Sequence, residues 1–357
     1  MPRRIHALLV ALATPALAVQ AGSFDTGRLL KRDATWFRSP EGACVVANVL
    51  AHQTAAGSWP KNTDTSRPPA GGKPAKGTFD NGATTGELRF LARAVALAGD
   101  TRCRDAFLRG FDHVLGAQYP TGGWPQSHPP GTGYHRHITF NDDAMRRLLE
   151  FLRDAASDPG FAFLDTGRRK AAREAFDRGI DCILRCQVRV CGRLTVWCAQ
   201  HDETDLTPRP ARSYELASLS GSESAGLLLL LMSLDRPSPE VVRAVHAGAR
   251  WFDSAKITGL RETKVDGDKR MMPDATAPPL WARFYEIDTG RPFFCDRDGV
   301  KRYALADIGP ERRNGYSWYG SWGAAVLKRH AEWSRAFPIP AASAIMPGEA
   351  HPREMHP

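Results

Sequence analysis

Apolar residues recur along much of the chain at the three-and-four spacing that places them on one face of a helix. Phe107, Phe111, Val114 and Leu115 form one such stripe, Met145, Leu148, Leu149 and Leu152 a second, and Phe176, Ile180, Ile183 and Leu184 a third. Start signals accompany the stripes. Thr84 with Glu87 and Ser220 with Glu223 have the capping-box spacing, and Ser238-Pro239 puts proline at a first helical position. The pattern predicts helices over 41–56, 83–98, 101–118, 142–157, 166–187, 220–235, 239–256 and 318–337. Alternation from Trp281 to Ile287 adds short strands.

The connections carry the topology. Gly99-Asp100, Asp158 to Asp165 and Arg236 to Ser238 are short, as between antiparallel neighbours, whereas 57–82, 119–141, 188–219 and 257–317 are long. Short and long alternate, so every long segment must emerge at the same end of the helices, and function belongs on that face. A weak repeat supports this. Gln53 precedes Gly57-Ser58-Trp59-Pro60, Gln118 precedes Gly122-Gly123-Trp124-Pro125, and Gln187 precedes Gly192 and Trp197 less faithfully. Three helix-hairpin units around one axis close as an all-α, α/α toroid, with 257–317 departing from the pattern.

With 42% hydrophobic and 24% charged residues in 357, the chain has the composition of a well-cored protein, which excludes disorder of its bulk. Arg3 and Arg4 before the apolar run Ala7 to Val19 read as a secretory signal over 1–21. One domain over 22–337 is then expected, followed by a disordered tail over 338–357, rich in proline and methionine. The next apolar run, Leu227 to Met232, is far short of the ~20 residues that span a bilayer. After signal removal no membrane contact is expected, and the place of action is the periplasm or the exterior. The formal charge is +9, and loss of Arg3 and Arg4 leaves +7, which favours an acidic partner. No helix-turn-helix, zinc-finger or single-strand-binding signature points to nucleic acid. A monomer is expected. Cys182, Cys186, Cys191 and Cys198 cluster, as one or two disulfides or as buried thiols.

Four polar constellations fall on the long-loop face: Thr78-Phe79-Asp80-Asn81-Gly82, Thr139-Phe140-Asn141-Asp142-Asp143, Arg212-Ser213-Tyr214-Glu215, and the arginines Arg283, Arg297 and Arg302. The first two share an aromatic, an Asp/Asn pair and a following helix. Asn141 could simply cap its helix. Paired carboxylates and amides at both places exceed that need, and such hard oxygens suit Ca²⁺ bound between separate loops. The arginines suit a carboxylate, which matches the planar guanidinium fork. With Trp59, Trp124, Trp281 and Tyr316 nearby, the set suits a polymer of sugar acids, each ring lying on an aromatic and each acid on a fork.

Gly57-Ser58-Trp59-Pro60-Lys61-Asn62, Thr78 to Thr84, Gly123-Trp124-Pro125-Gln126, Thr139-Phe140-Asn141-Asp142, Arg212 to Glu215 and Arg283-Phe284-Tyr285 together resemble the pectate lyases of polysaccharide lyase family 10. The resemblance runs from about Gly57 to Gly320. It implies an (α/α)₃ toroid, secretion, and calcium-assisted β-elimination on polygalacturonate. Residue by residue, it implies Arg212 as catalytic base, with Asp80, Asn81 and Asp142 at calcium and active-site positions. Arg283, Arg297 and Lys61, together with Asn81, are implied to contact substrate. A neutral arginine near pH 9 costs roughly 5 kcal/mol, because the ordinary arginine pKa lies far above that pH, and neighbouring cations are expected to reduce that cost. The competing readings are an α/α-toroid glycoside hydrolase using two carboxylates such as Asp80 and Asp142, with Glu215 and Glu223 as further acids, and a non-catalytic binder of acidic polysaccharide.

Overall fold

Helical periodicity becomes an all-α toroid in a computed structural model that describes residues 23–71 and 75–339. The expected signal and all but the first two residues of the expected tail lie outside the described residues. Two short helices, α1 (Thr26–Leu29) and α2 (Ala34–Arg38), precede α3 (Pro40–Ala51). Three hairpins follow: α4 (Thr85–Ala98) with α5 (Thr101–Gly116), α6 (Ala144–Ser157) with α7 (Thr166–Cys186), and α8 (Glu223–Leu231) with α9 (Pro239–Ser254). A short α10 (Pro310–Gly315) leads to α11 (Trp322–Ala336), which packs on α8 and α9. Helices α4, α6 and α8 touch in succession as one layer, and α3, α5, α7 and α9 as the other.

All eight predicted helices are present, and their shortened ends have local causes. Helix α3 stops at Ala51 because the chain turns into Gly57, whose φ is +100°. A Cβ on that glycine would lie 2.5 Å from the carbonyl oxygen of Arg109. Helix α11 starts at Trp322 because Tyr319–Gly320 pairs as a strand with Trp281–Ala282. The segment 257–317 adds a hairpin, Leu260–Val265 with Asp268–Pro273. Its turn residues Asp266 and Gly267 both have positive φ, as a two-residue hairpin turn requires.

The repeat seen in sequence is a structural joint. Gln53 Nε2 donates to the carbonyls of Gly57 (3.0 Å) and Ala106 (2.8 Å), and Gln118 Nε2 does the same to Gly122 (2.9 Å) and Ala175 (2.8 Å). Gln187 Nε2 reaches Thr195 (2.9 Å) and Ala244 (3.0 Å). Each amide ties the turn after one outer helix to the next outer helix. The tryptophans finish the joint. Trp59, Trp124, Trp197 and Trp281 are all at most 1% exposed. Their indole N–H groups donate to Val49, Val114, Ile183 and Phe252, carbonyls in the last turns of α3, α5, α7 and α9. Those carbonyls have no partner within their own helix. This corrects the expectation that Trp59, Trp124 and Trp281 face a sugar: they are core, and the fourth unit carries its tryptophan too.

Two further expectations change. Thr84 does not cap α4; its φ is +67° and its hydroxyl instead donates to Thr78 O and accepts from Trp59 N–H. Ser220 and Glu223 do interact, with Glu223 N–H donating to Ser220 Oγ at 3.2 Å. The cysteines are free, so the buried-thiol alternative holds for Cys182, Cys186 and Cys198, while Cys191 is exposed. Among the described residues no helix is long and apolar enough to cross a membrane.

Candidate active site

The tryptophan joints also set the site. Trp59 O accepts from Thr78 N–H (3.0 Å) and Trp124 O from Thr139 N–H (3.1 Å), so each joint fixes the chain one residue before a buried phenylalanine, Phe79 or Phe140. Asp80-Asn81-Gly82 and Asn141-Asp142-Asp143 then make tight turns that pack against each other. Asn81 and Asp142 have φ of 52° and 50°, the left-handed region that Asn and Asp tolerate best after glycine. The capping alternative for Asn141 is not realised, because its amide donates to Asp142 Oδ2 at 2.7 Å instead.

Long segments from three units converge on a cleft of about 190 Å³. Its lining contains Lys61, Asp80, Asn81, Asp142 and Arg212, five of the seven residues singled out in the sequence. Asp80 is buried; its Oδ2 pairs with Lys61 Nζ and accepts from Gln126 Nε2 at 2.7 Å. Its Oδ1 and Gln126 Oε1 are buried with no hydrogen-bond partner among the described residues. Buried carboxylate and amide oxygens rarely go unpartnered. Opposite them, Arg212 grips Glu215 through Nε (2.7 Å) and Nη2 (2.5 Å), and the Tyr316 hydroxyl donates to Glu215 Oε1 at 2.7 Å. Arg212 lies over the rings of Tyr214 and Tyr316, at 4.9 and 5.7 Å.

These contacts fix the charges. The Glu215 fork raises Arg212 above the ordinary arginine range, against the expectation that its surroundings would lower it. Burial pushes Glu215 upward, yet the bonds from Arg212 and Tyr316 hold it below the usual carboxylate range. Arg283 is buried between Glu223 and Asp142, with Nη2 3.3 Å from Asp142 Oδ1. Burial opposes its charge, but Glu223, Tyr316 and Asp142 outweigh that and raise it. Arg283 therefore orients Asp142 from behind and does not line the cleft with Arg212; it lines an adjoining groove of about 800 Å³ that shares Asn81 and Asp142.

The three arginines grouped in sequence are not one cluster. Arg297 is exposed, pairs with Glu311 at 3.0 Å, and approaches the site only through Tyr214, whose ring lies 5.8 Å away. Arg302 pairs with Asp298 at 2.7 Å and is not among the residues lining the cleft. Gln126, Tyr134 and Gln200 join the cleft without having been assigned a role. Only Gln126 had a signal, its place directly after the Trp124-Pro125 joint. A separate group, His137, Asp202 and Glu203, has metal-like proximity. Its carboxylates are already taken up: Asp202 by Arg209 and two backbone N–H groups, Glu203 by Arg136 and His137.

A toroid whose irregular face holds carboxylates, amides and charged guanidiniums around one open cleft has the build of an enzyme for acidic carbohydrate. The chain belongs to the pectic acid lyase family, whose model matches residues 53–327, and it is a pectate lyase. It is 37% identical to the family 10 polysaccharide lyase from Cellvibrio cellulosa, with a TM-score of 0.75, over 87% of this chain and 96% of that one. A mutant of the Cellvibrio cellulosa enzyme in complex with trigalacturonic acid matches with the same identity and TM-score, over 86% of this chain and 97% of that one. No curated protein sequence matches the chain.

Proposed function

We propose that the cleft cleaves polygalacturonate by calcium-assisted β-elimination, releasing unsaturated oligogalacturonides, and that the chain works as a monomer in the periplasm or outside the cell. The single observation that carries this is the convergence of Lys61, Asp80, Asn81, Asp142 and Arg212 on one cleft with two unpartnered buried oxygens. The ligand in the related complex, trigalacturonic acid, is a fragment of that substrate. The leader-like start of the chain supports export.

In the reaction the C5 proton, α to the uronate carboxylate, is removed. The electron pair of the broken C5–H bond forms a C4–C5 double bond, and the glycosidic oxygen leaves C4 with the C4–O pair and takes up a proton. Charge building on the carboxylate is the barrier, and preorganised cations beside it lower that barrier. Asp80 Oδ1 and Gln126 Oε1 are hard donors lacking partners, and with Asp142 and the Asn81 carbonyl oxygen they fit Ca²⁺. When bound there, Ca²⁺ supplies positive charge to the substrate carboxylate. Lys61 and Arg212 add cationic groups from the protein.

In this reading Arg212 takes the C5 proton. While Glu215 holds its Nε and Nη2 it stays charged, so the proton is taken only when that fork is released. The Tyr316 hydroxyl remains on Glu215 and limits the cost of the release. Grooves of about 640 and 800 Å³ continue from the cleft on the Lys61 and Asp142 sides, and Arg147 lines both. They give the polymer room to pass through. The test is Arg212→Ala, followed by ultraviolet absorbance of the new double bond and by binding of trigalacturonate. Turnover should vanish with binding retained; turnover near the wild-type rate would remove Arg212 from this role.

A further inference from the structure

The pairing of arginine forks with an accessible tryptophan, expected in sequence at the active face, occurs elsewhere in the fold. A groove of about 650 Å³ is lined by Arg189 and Arg193 of the hairpin after α7, by Arg243 and Arg250 of α9, and by Trp251. It shares no lining residue with the catalytic cleft or its two adjoining grooves. All four arginines are exposed. Only Arg243 has a carboxylate partner among the described residues, Glu240 at 2.7 Å. Arg189 donates to Gly192 O at 3.2 Å, which sets its fork against its own hairpin turn. The side chains of Arg193 and Arg250 make no hydrogen bond or ion pair to any described residue.

The elements hold these groups in place. Arg243 and Arg250 are seven residues apart on α9, two turns, so they share a face about 10.5 Å from end to end. The strand Arg193–Leu194 packs against α9, bringing the hairpin arginines alongside. Trp251 is half-buried. One part of its ring is fixed edge-on against Tyr285 and Phe252, with centroids 5.0 and 5.1 Å away, and the remainder lines the groove. A rigid aromatic surface beside forks without carboxylate partners provides for an apolar sugar face and for a carboxylate at once.

We propose that this groove is a second, non-catalytic binding site for polygalacturonate, which holds the polymer on the outer rim of the toroid while the cleft cuts it. The proposal rests on the polygalacturonate reading of the catalytic cleft. Its test uses the whole mature protein in native gels cast with polygalacturonate and chelator, with mobility taken relative to polymer-free gels. The double variant Arg193→Glu/Arg250→Glu should bind about tenfold more weakly, a loss of ~1.4 kcal/mol. Its turnover of trigalacturonate with calcium restored should stay within about twofold of wild type, because a trimer is too short to use both sites. Wild type should also be retarded at lower concentrations of polygalacturonate than of a sulfated dextran of equal charge density. Equal retardation of variant and wild type overturns the proposal, and so does equal retardation by the two polymers, which would mean a surface read by charge alone. Absence of unsaturated product from wild type would instead defeat the catalytic reading, a result that the gels do not depend on.

Discussion

Glu87 provides a stability test that is independent of activity. It sits in the first turn of α4, 1% exposed, with Oε1 accepting from the Thr65 hydroxyl at 3.0 Å and Oε2 buried without a partner. Burial pushes its carboxyl up to about 7, which the bonds from its own N–H and from Thr65 only partly oppose. The folded protein therefore holds a proton between about 4.5 and 7 that the unfolded chain has released, so stability falls as pH rises through that window. At 1.36 kcal/mol per pH unit the loss is about 3 kcal/mol, complete above pH 7. Glu87→Gln keeps the acceptor for Thr65 and removes the charge. Urea unfolding at pH 4 and at pH 9 should show the variant gaining about 3 kcal/mol relative to wild type between the two. In melting temperature the gain at pH 9 is roughly 5 °C. A difference that does not change with pH, or a variant less stable than wild type at pH 9, would refute the reasoning.

The same variant exposes an opposite term. His201 is fully buried, with Nδ1 on Leu206 O at 2.8 Å and Nε2 on Cys198 N–H at 3.1 Å, and burial holds it down to about 4. Its proton is bound by the unfolded chain first, and burial holds His113 down to about 4 in the same way. Glu87→Gln should therefore lose about 3 kcal/mol for each of the two histidines on acidification from pH 6.5 to 4, measured by urea midpoints. Glu215→Gln removes the anion that raises Arg212, so the alkaline rise in lyase rate should move to lower pH; an unmoved pH–rate profile would sever Glu215 from the base. Trp124→Phe leaves the Val114 carbonyl unpartnered and should cost ~1–3 kcal/mol in unfolding free energy, with KM for polygalacturonate unchanged. Gly122→Ala puts a Cβ 2.2 Å from Arg178 O at a φ of +93° and should cost more than ~3 kcal/mol, read as lost soluble protein or melting temperature.

The helices were legible because burial on one face imposes a period, and Phe107, Phe111 and Val114 lie fully buried as their spacing implied. Loop convergence followed from alternating connection lengths, which is why Asp80, Asn81, Asp142 and Arg212 could be grouped on one face, whereas Lys61 joined them only through the family resemblance. The direction in which a residue faces was not legible. Trp59 and Trp124 have the composition of sugar platforms, but helix-end carbonyls needing donors drew them inward. Arg297 and Arg302 share a residue type with Arg283, yet local carboxylates at Glu311 and Asp298 keep them on the surface. The partner of Arg212 was present in the same motif three residues on, but only the turn that folds Glu215 back under the guanidinium makes it one.

The most direct test of calcium-assisted elimination is the ultraviolet absorbance produced from polygalacturonate by the purified chain, recorded with chelator and again after Ca²⁺ is returned. With calcium-assisted elimination the absorbance rises with time, stops in chelator and resumes with calcium. Saturated products only, or a rate that chelation leaves unchanged, would contradict it.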